Sequence, residues 1–168
     1  IVSETFDKVA NEDVFDVSST LAIEIPRRSI ARLVGIPSEN SEIFDKLGWA
    51  MVRYNGFTTS PEDRAELLKT ALAGVAMLQG LIAERRAADS PWDYFIGVLL
   101  EAQDGDDRLN DWEVLGIVAA MLAAGSDTAS DMHPSLIYAL LDNPDQYEKL
   151  KQDPSLVDNA IVEALRYE

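Results

Sequence analysis

Five times this chain spells out a signal for starting a helix, and that recurrence constrains its fold more than any other feature. Ser60-Pro61-Glu62-Asp63 sets a capping hydroxyl, a proline at the first helical position and an acid at the third. Ser90-Pro91-Trp92-Asp93 repeats the arrangement, and Asn110-Asp111-Trp112-Glu113 does so without proline. Asn143-Pro144-Asp145-Gln146 and Asp153-Pro154 complete the set. Most of these starts offer an oxygen to N–H groups that a first helical turn leaves unpartnered. Between the starts, apolar residues recur at helical spacing. Ile43, Leu47 and Met51 form one stripe after a break at Gly35-Ile36-Pro37, and Leu68, Leu72, Val75, Leu78 and Ile82 form a longer one. No segment alternates as a strand does and no internal repeat is visible, so the expected fold class is all-α.

Residues 111–141 read as one long helix or as two joined near Gly125-Ser126. The segment is apolar nearly all round up to Ala124, which suits the centre of a larger fold. Charge narrows the partners. With 30 acidic and 14 basic residues and a net charge of −16, the chain repels phosphate backbones and anionic lipid, so neither nucleic acid nor membrane is expected as a partner. Its longest apolar stretch, residues 114–125, is shorter than a bilayer requires. No basic, apolar leader opens the chain. There is no cysteine, which removes disulfides, Cys-ligated metal and thiol catalysis from these residues. A single histidine, His133, reads as a packing or surface residue. Asp104-Gly105-Asp106-Asp107 is a charged turn that lacks the ligand spacing of a calcium loop.

The stretch Ala123-Ala124-Gly125-Ser126-Asp127-Thr128-Ala129-Ser130 carries the chemistry. On composition alone it reads as a helix break, with Gly125 closing one helix and Asp127, Thr128 or Ser130 capping the next. Downstream come Leu140-Leu141-Asp142-Asn143-Pro144-Asp145-Gln146, then Asp153-Pro154, then Glu163-Ala164-Leu165-Arg166. In this order and spacing the chain resembles the cytochrome P-450 family. That family's central helix bears A-G-x-[DE]-T, here residues 124–128, followed by L-L-x-x-P and by a helix with E-x-x-R, here Glu163 and Arg166. Upstream, Ile23-Glu24-Ile25-Pro26-Arg27-Arg28-Ser29-Ile30 leading to Val34-Gly35-Ile36-Pro37 is similar to the segment ahead of the family's substrate-covering helices.

The resemblance implies part of the cytochrome P-450 fold, soluble bacterial type, with residues 1–168 forming a single incomplete domain. The N-terminal part and the C-terminal loop that supplies the haem thiolate are expected to lie outside it. It implies haem b as cofactor, dioxygen and a small apolar organic substrate, a ferredoxin- or flavin-type electron donor, and a cytoplasmic location. Thr128 is then expected to hydrogen-bond the bound oxygen and Asp127 to relay protons towards it. Ala124 and Gly125 would let the helix backbone approach the cofactor, and Ala120 and Ala123 would border the substrate pocket. Those small side chains either leave room for a bulky substrate or face large residues from other segments. Leu47, Met51 and Phe57 fall in the substrate-covering part by position, where plain core packing is at least as good a reading. Glu163 and Arg166 would belong to a buried network completed from elsewhere, and no residue of this chain is expected to bind metal. Pro134, within the expected central helix, forfeits a backbone hydrogen bond there and opens the prospect of a kink. The alternative to a monooxygenase segment is a non-catalytic acidic all-α binding or interaction module derived from the same fold.

Overall fold

Four of the five helix starts open helical segments in the computed structural model. It describes residues 1–54, 56, 59–88, 94–104 and 107–167, without the side chains of residues 103, 104, 126 and 127. In chain order the elements are α1 (Val2–Asp7), a π-helical turn (Ser18–Ala22), α2 (Glu24–Val34), a 3-10 turn (Ser38–Asn40), α3 (Ser41–Tyr54), α4 (Pro61–Ala87) and α5 (Phe95–Glu101). Then come β1 (Gln103–Asp104), β2 (Asp107–Arg108), α6 (Asp111–Asp142), α7 (Pro144–Gln152), a second 3-10 turn (Pro154–Leu156) and α8 (Val157–Tyr167). The start at 90–93 lies outside the described residues, as does Phe57.

The caps work as their chemistry demands. Ser60 Oγ accepts the Asp63 N–H at 3.1 Å, and Asp153 Oδ1 accepts the Ser155 N–H at 3.1 Å. Asn110 forms a reciprocal box: its Oδ1 accepts from the N–H groups of Trp112 and Glu113 at 3.0 and 3.1 Å, while Glu113 Oε2 accepts the Asn110 N–H at 2.7 Å. Removing that oxygen by Asn110→Ala is expected to cost about 1 kcal/mol, read as a lower urea midpoint. Asn143 departs from the pattern, because its side-chain amide donates backwards to the Ala139 carbonyl at 2.9 Å. It closes the end of α6 and gives α7 no side-chain cap.

One small sheet replaces the expected plain turn. β1 and β2 pair antiparallel, Gln103 opposite Arg108 and Asp104 opposite Asp107. A two-residue ladder is too short to leave an alternating signature in sequence. Gly105 and Asp106 lie outside the described residues.

The chain divides into two units, one of Arg27–Ser126 and one of Ile1–Pro26 with Asp127–Glu168. The first holds the apolar cluster, built from Ala31 and Val34 on α2, Phe44 and Leu47 on α3, and Leu78, Leu81 and Ile82 on α4. Ile96 and Leu100 of α5 and Val114, Leu115, Val118 and Leu122 of α6 complete it. Helices come close where a side chain is missing. A Cβ on Gly74 would lie 2.6 Å from Leu47 Cβ, so α4 lies directly against α3.

The buried line of α4 corrects the stripe read from sequence. Leu68 and Leu72 are 46% and 58% exposed, while Leu67, Gly74, Leu78, Leu81 and Ile82 are buried. The contact line advances in steps of four and three through Leu67, Ala71, Gly74 and Leu78, and only an inward glycine keeps it continuous. A glycine carries no hydrophobic signal, so the sequence points instead to the neighbouring leucines. Among the described residues, α4 is the one helix long and apolar enough to cross a bilayer, by length and composition alone.

In the second unit, Thr5, Val9, Leu21, Ala22 and Ala164 are buried, and Lys8 pairs with Glu24.

Candidate functional site

The first half of α6 has two unlike sides. Val114, Leu115, Val118, Ala119 and Leu122 are buried, whereas Gly116, Ala120 and Ala124 are exposed. Thr128 follows Ala124 by one helical turn in the same register and is exposed as well. The helix start is tied down by Arg86, which donates to Asp111 at 2.6 Å and to the Leu109 carbonyl at 3.2 Å.

The break that composition suggests at Gly125-Ser126 is absent, and α6 is helical throughout. One glycine costs a helix interior about 1 kcal/mol, and apolar burial on the preceding turns outweighs that. Ala123 and Gly125 are half-buried. Gly125 is turned towards α2, where an added Cβ would meet Ile30 Cδ1 at 2.8 Å. The backbone of Asp127 is helical, but its side chain lies outside the described residues. Pro134 also leaves the helix unbroken. Beside it, the Ser135 hydroxyl donates to the Asp131 carbonyl at 3.0 Å. His133 is half-buried, with an Nδ1 that has no hydrogen-bond partner.

Glu163 and Arg166 pair with each other on an exposed face of α8. Arg166 Nε donates to Glu163 Oε2 at 2.8 Å, and its Nη2 reaches Oε1. The hydrogen bond from Arg166 holds the Glu163 carboxyl below its ordinary value and raises the guanidinium above its own. A pair so hydrated contributes little by itself. Glu163 also edges a cleft of about 450 Å³ among the last turns of α6, α7 and α8, with Leu136, Leu140, Leu150 and Tyr167 on its walls.

Register thus gathers Ala120, Ala124 and Thr128 on one face, with Ala123 half-buried at its edge and Gly125 turned towards α2, while Glu163 and Arg166 form a separate pair. Sequence reasoning missed Ile30, which seats Gly125, and Gly48, where a Cβ would lie 2.9 Å from Leu122 Cγ. Their importance rests on which helices touch.

No protein-family model matches the chain. Individual proteins do. It is 34% identical, over its whole length, to cytochrome P-450 107B1 of Saccharopolyspora erythraea, covering 39% of that protein. It is 32% identical to the epothilone C/D epoxidase of Sorangium cellulosum, covering 99% of this chain and 40% of the relative. Among solved structures, P450BioI in complex with hexadec-9Z-enoic acid ligated acyl carrier protein superposes with a TM-score of 0.86 at 27% identity. That match covers 99% of this chain and 42% of the solved one. The chain belongs to the bacterial cytochrome P-450 family. It spans about 40% of the length of the curated relatives it matches. Its all-α architecture corresponds to part of the cytochrome P-450 fold.

A cytochrome P-450 implies haem, and the residues present fit one face of such a flat group. Over residues 116–128 the exposed line of α6 carries nothing larger than a threonine, and a Cβ on Gly116 would meet nothing within 4 Å; one turn earlier the same line carries the exposed Trp112. These 168 residues contain no cysteine and so offer such a group no thiolate. Among the described residues no cluster of three His, Asp or Glu side chains could hold a metal ion.

Proposed function

We propose that this chain is the oxygen-side wall of a haem-thiolate monooxygenase that oxidises a bulky apolar organic substrate in the cytoplasm. The observation that carries the reading is the unbroken helix through A-G-x-D-T, with Ala120, Ala124 and Thr128 exposed in register and nothing bulky between them. Identity to relatives that include an epoxidase supports it. Electrons would arrive from a ferredoxin- or flavin-type donor.

Bound haem would supply the binding and activation of dioxygen. The chain's own residues do the rest. Ala124 keeps side-chain bulk off the reacting space, and Ala120 with Ala123 sets how large a substrate fits beside it. Thr128 holds a hydroxyl proton at Oγ1 for donation into that space, and Asp127 passes protons inward from solvent. Glu163 and Arg166 act away from the chemistry, holding the shape of the α8 region once further chain covers them.

The test uses the full-length protein. Its reduced, carbon-monoxide-bound form is expected to show the Soret position of thiolate-ligated haem. Thr128→Ala is expected to cut product formation by about tenfold or more while hydrogen peroxide rises, because a lost proton donor leaves dioxygen reduced without productive cleavage. A Thr128→Ala variant with unchanged product and peroxide would remove the assigned role.

A further inference from the structure

The glycine of the motif looks away from the open side of its helix, and the atom it looks at is specific. A Cβ on Gly125 would lie 2.8 Å from Ile30 Cδ1 and 3.7 Å from its Cγ1. Carbon atoms in contact settle near 3.5–4.0 Å, so a Cβ at 125 requires the Ile30 δ-methyl, the far end of that side chain, to shift or α6 to move outward. Ile30 is half-buried and packed against the core cluster that includes Ala31 and Val34 of the same helix, so a shift of its δ-methyl disturbs that packing. Three residues earlier on α6, Leu122 is seated in the same way over Gly48 of α3, where a Cβ would lie 2.9 Å from Leu122 Cγ. The turn is therefore held on two neighbouring lines, by Gly48 under Leu122 and by Ile30 under Gly125. Ala124 stands exposed between those two residues in sequence and round the helix from both.

Resting on the monooxygenase reading, we infer that Ile30 is a positioning residue that sets how far this turn of α6 stands from α2. It thereby sets how far Ala124, and Thr128 one turn on, project towards the reacting space. Ile30 itself touches neither substrate nor cofactor. Bulk added at 125 pushes the turn outward, and bulk removed at 30 lets it settle inward. Either displacement misaligns the Thr128 proton donor, so dioxygen takes two electrons from the ferredoxin- or flavin-type donor and two protons and leaves as hydrogen peroxide in place of product.

Full-length protein carrying Gly125→Ala, Ile30→Val, Ile30→Ala, Gly125→Ala with Ile30→Val, and Thr128→Ala provides the test. The readouts are hydrogen peroxide released per dioxygen consumed, the substrate-induced shift of the Soret band, and the thermal midpoint. Gly125→Ala is expected to raise peroxide release several-fold and to weaken the Soret shift. Ile30→Val removes the δ-methyl that the new Cβ strikes, so the double variant is expected to return close to wild type, the coupling expected of residues in contact. Ile30→Ala is expected to raise peroxide release with glycine still at 125, which keeps the test intact should Gly125→Ala fail to fold. The inference is overturned if Ile30→Val gives no rescue, if Gly125→Ala alone matches wild type, or if Ile30→Ala changes only the thermal midpoint. Thr128→Ala separates the two levels. Wild-type peroxide release there would sink the monooxygenase reading of the motif, whereas uncoupling there without rescue at 30 would sink only the role of Ile30.

Discussion

Truncating Phe44 to alanine in the full-length protein is expected to cost about 4 kcal/mol of folding free energy. Phe44 is fully buried on α3, in a cluster with Leu78 and Ile82 of α4 and Val118 and Leu122 of α6. The loss has two parts. The ring's transfer from water is forfeited, and the surrounding helices collapse only partly into the space it leaves. Collapse is restricted because α3 already lies as near its neighbours as it can, against Gly74 of α4 at Leu47 and against Leu122 of α6 at Gly48. Phe44→Leu keeps most of the volume and is expected to cost about 1.5 kcal/mol or less. Thermal unfolding followed by circular dichroism ranks the two. Equal midpoints for Phe44→Ala and the parent would mean that α3 is not anchored by this ring.

Gly35→Ala is expected to destabilise by about 3 kcal/mol, from two separable causes. Gly35 ends α2 with φ +90°, the one positive φ among the described residues. Its N–H and that of Ile36 both reach the Ala31 carbonyl, at 3.0 and 2.8 Å, which closes the helix in a left-handed cap. An alanine there pays about 1–2 kcal/mol for its backbone conformation. Its Cβ would also lie 2.6 Å from both Cβ and Cγ of Tyr94. Those atoms sit next to the backbone and cannot swing aside, and Arg85 stacks 5.3 Å from the Tyr94 ring centroid. Overpacking of this kind costs about 1–3 kcal/mol. Adding Tyr94→Ala to Gly35→Ala should recover the steric part and leave the conformational part. Full recovery would disprove the backbone argument, and no recovery would disprove the steric one.

Much of the fold was legible because helices announce themselves locally. Ser60, Asn110 and Asp153 accept the backbone N–H groups their sequence context predicts. Asn143 shows the limit of that reasoning. The same side chain can cap the helix after it or close the one before it, and the short turn between α6 and α7 brings the Ala139 carbonyl within its reach. Composition misleads at Gly125 for a related reason. A glycine's low helix propensity is a cost of about 1 kcal/mol, and a long helix with a buried side absorbs it.

The candidate site was legible as a list of residues and much less as an arrangement. Order and spacing of A-G-x-D-T, N-P-D-Q and E-A-L-R were enough to point to the family, since motif order lies along the chain. Register on one helix also follows from sequence, so Ala120, Ala124 and Thr128 could be placed on a common face in advance. That Gly125 turns from this face to meet Ile30, residues far apart in sequence, was not predictable from either segment alone. Nor was the choice of Leu67 over Leu68 as the buried residue of α4.

The sequence by itself determined where α4, α6 and α7 begin, the all-α class, the family and the face on which the small residues of α6 fall. All of these depend on neighbours within a turn or two, or on order along the chain. Only the tertiary structure decided which glycines seat a neighbouring helix and which apolar line each helix buries. Those choices are set by the close packing of side chains from segments distant in sequence, where a single methyl group decides how near two helices can lie.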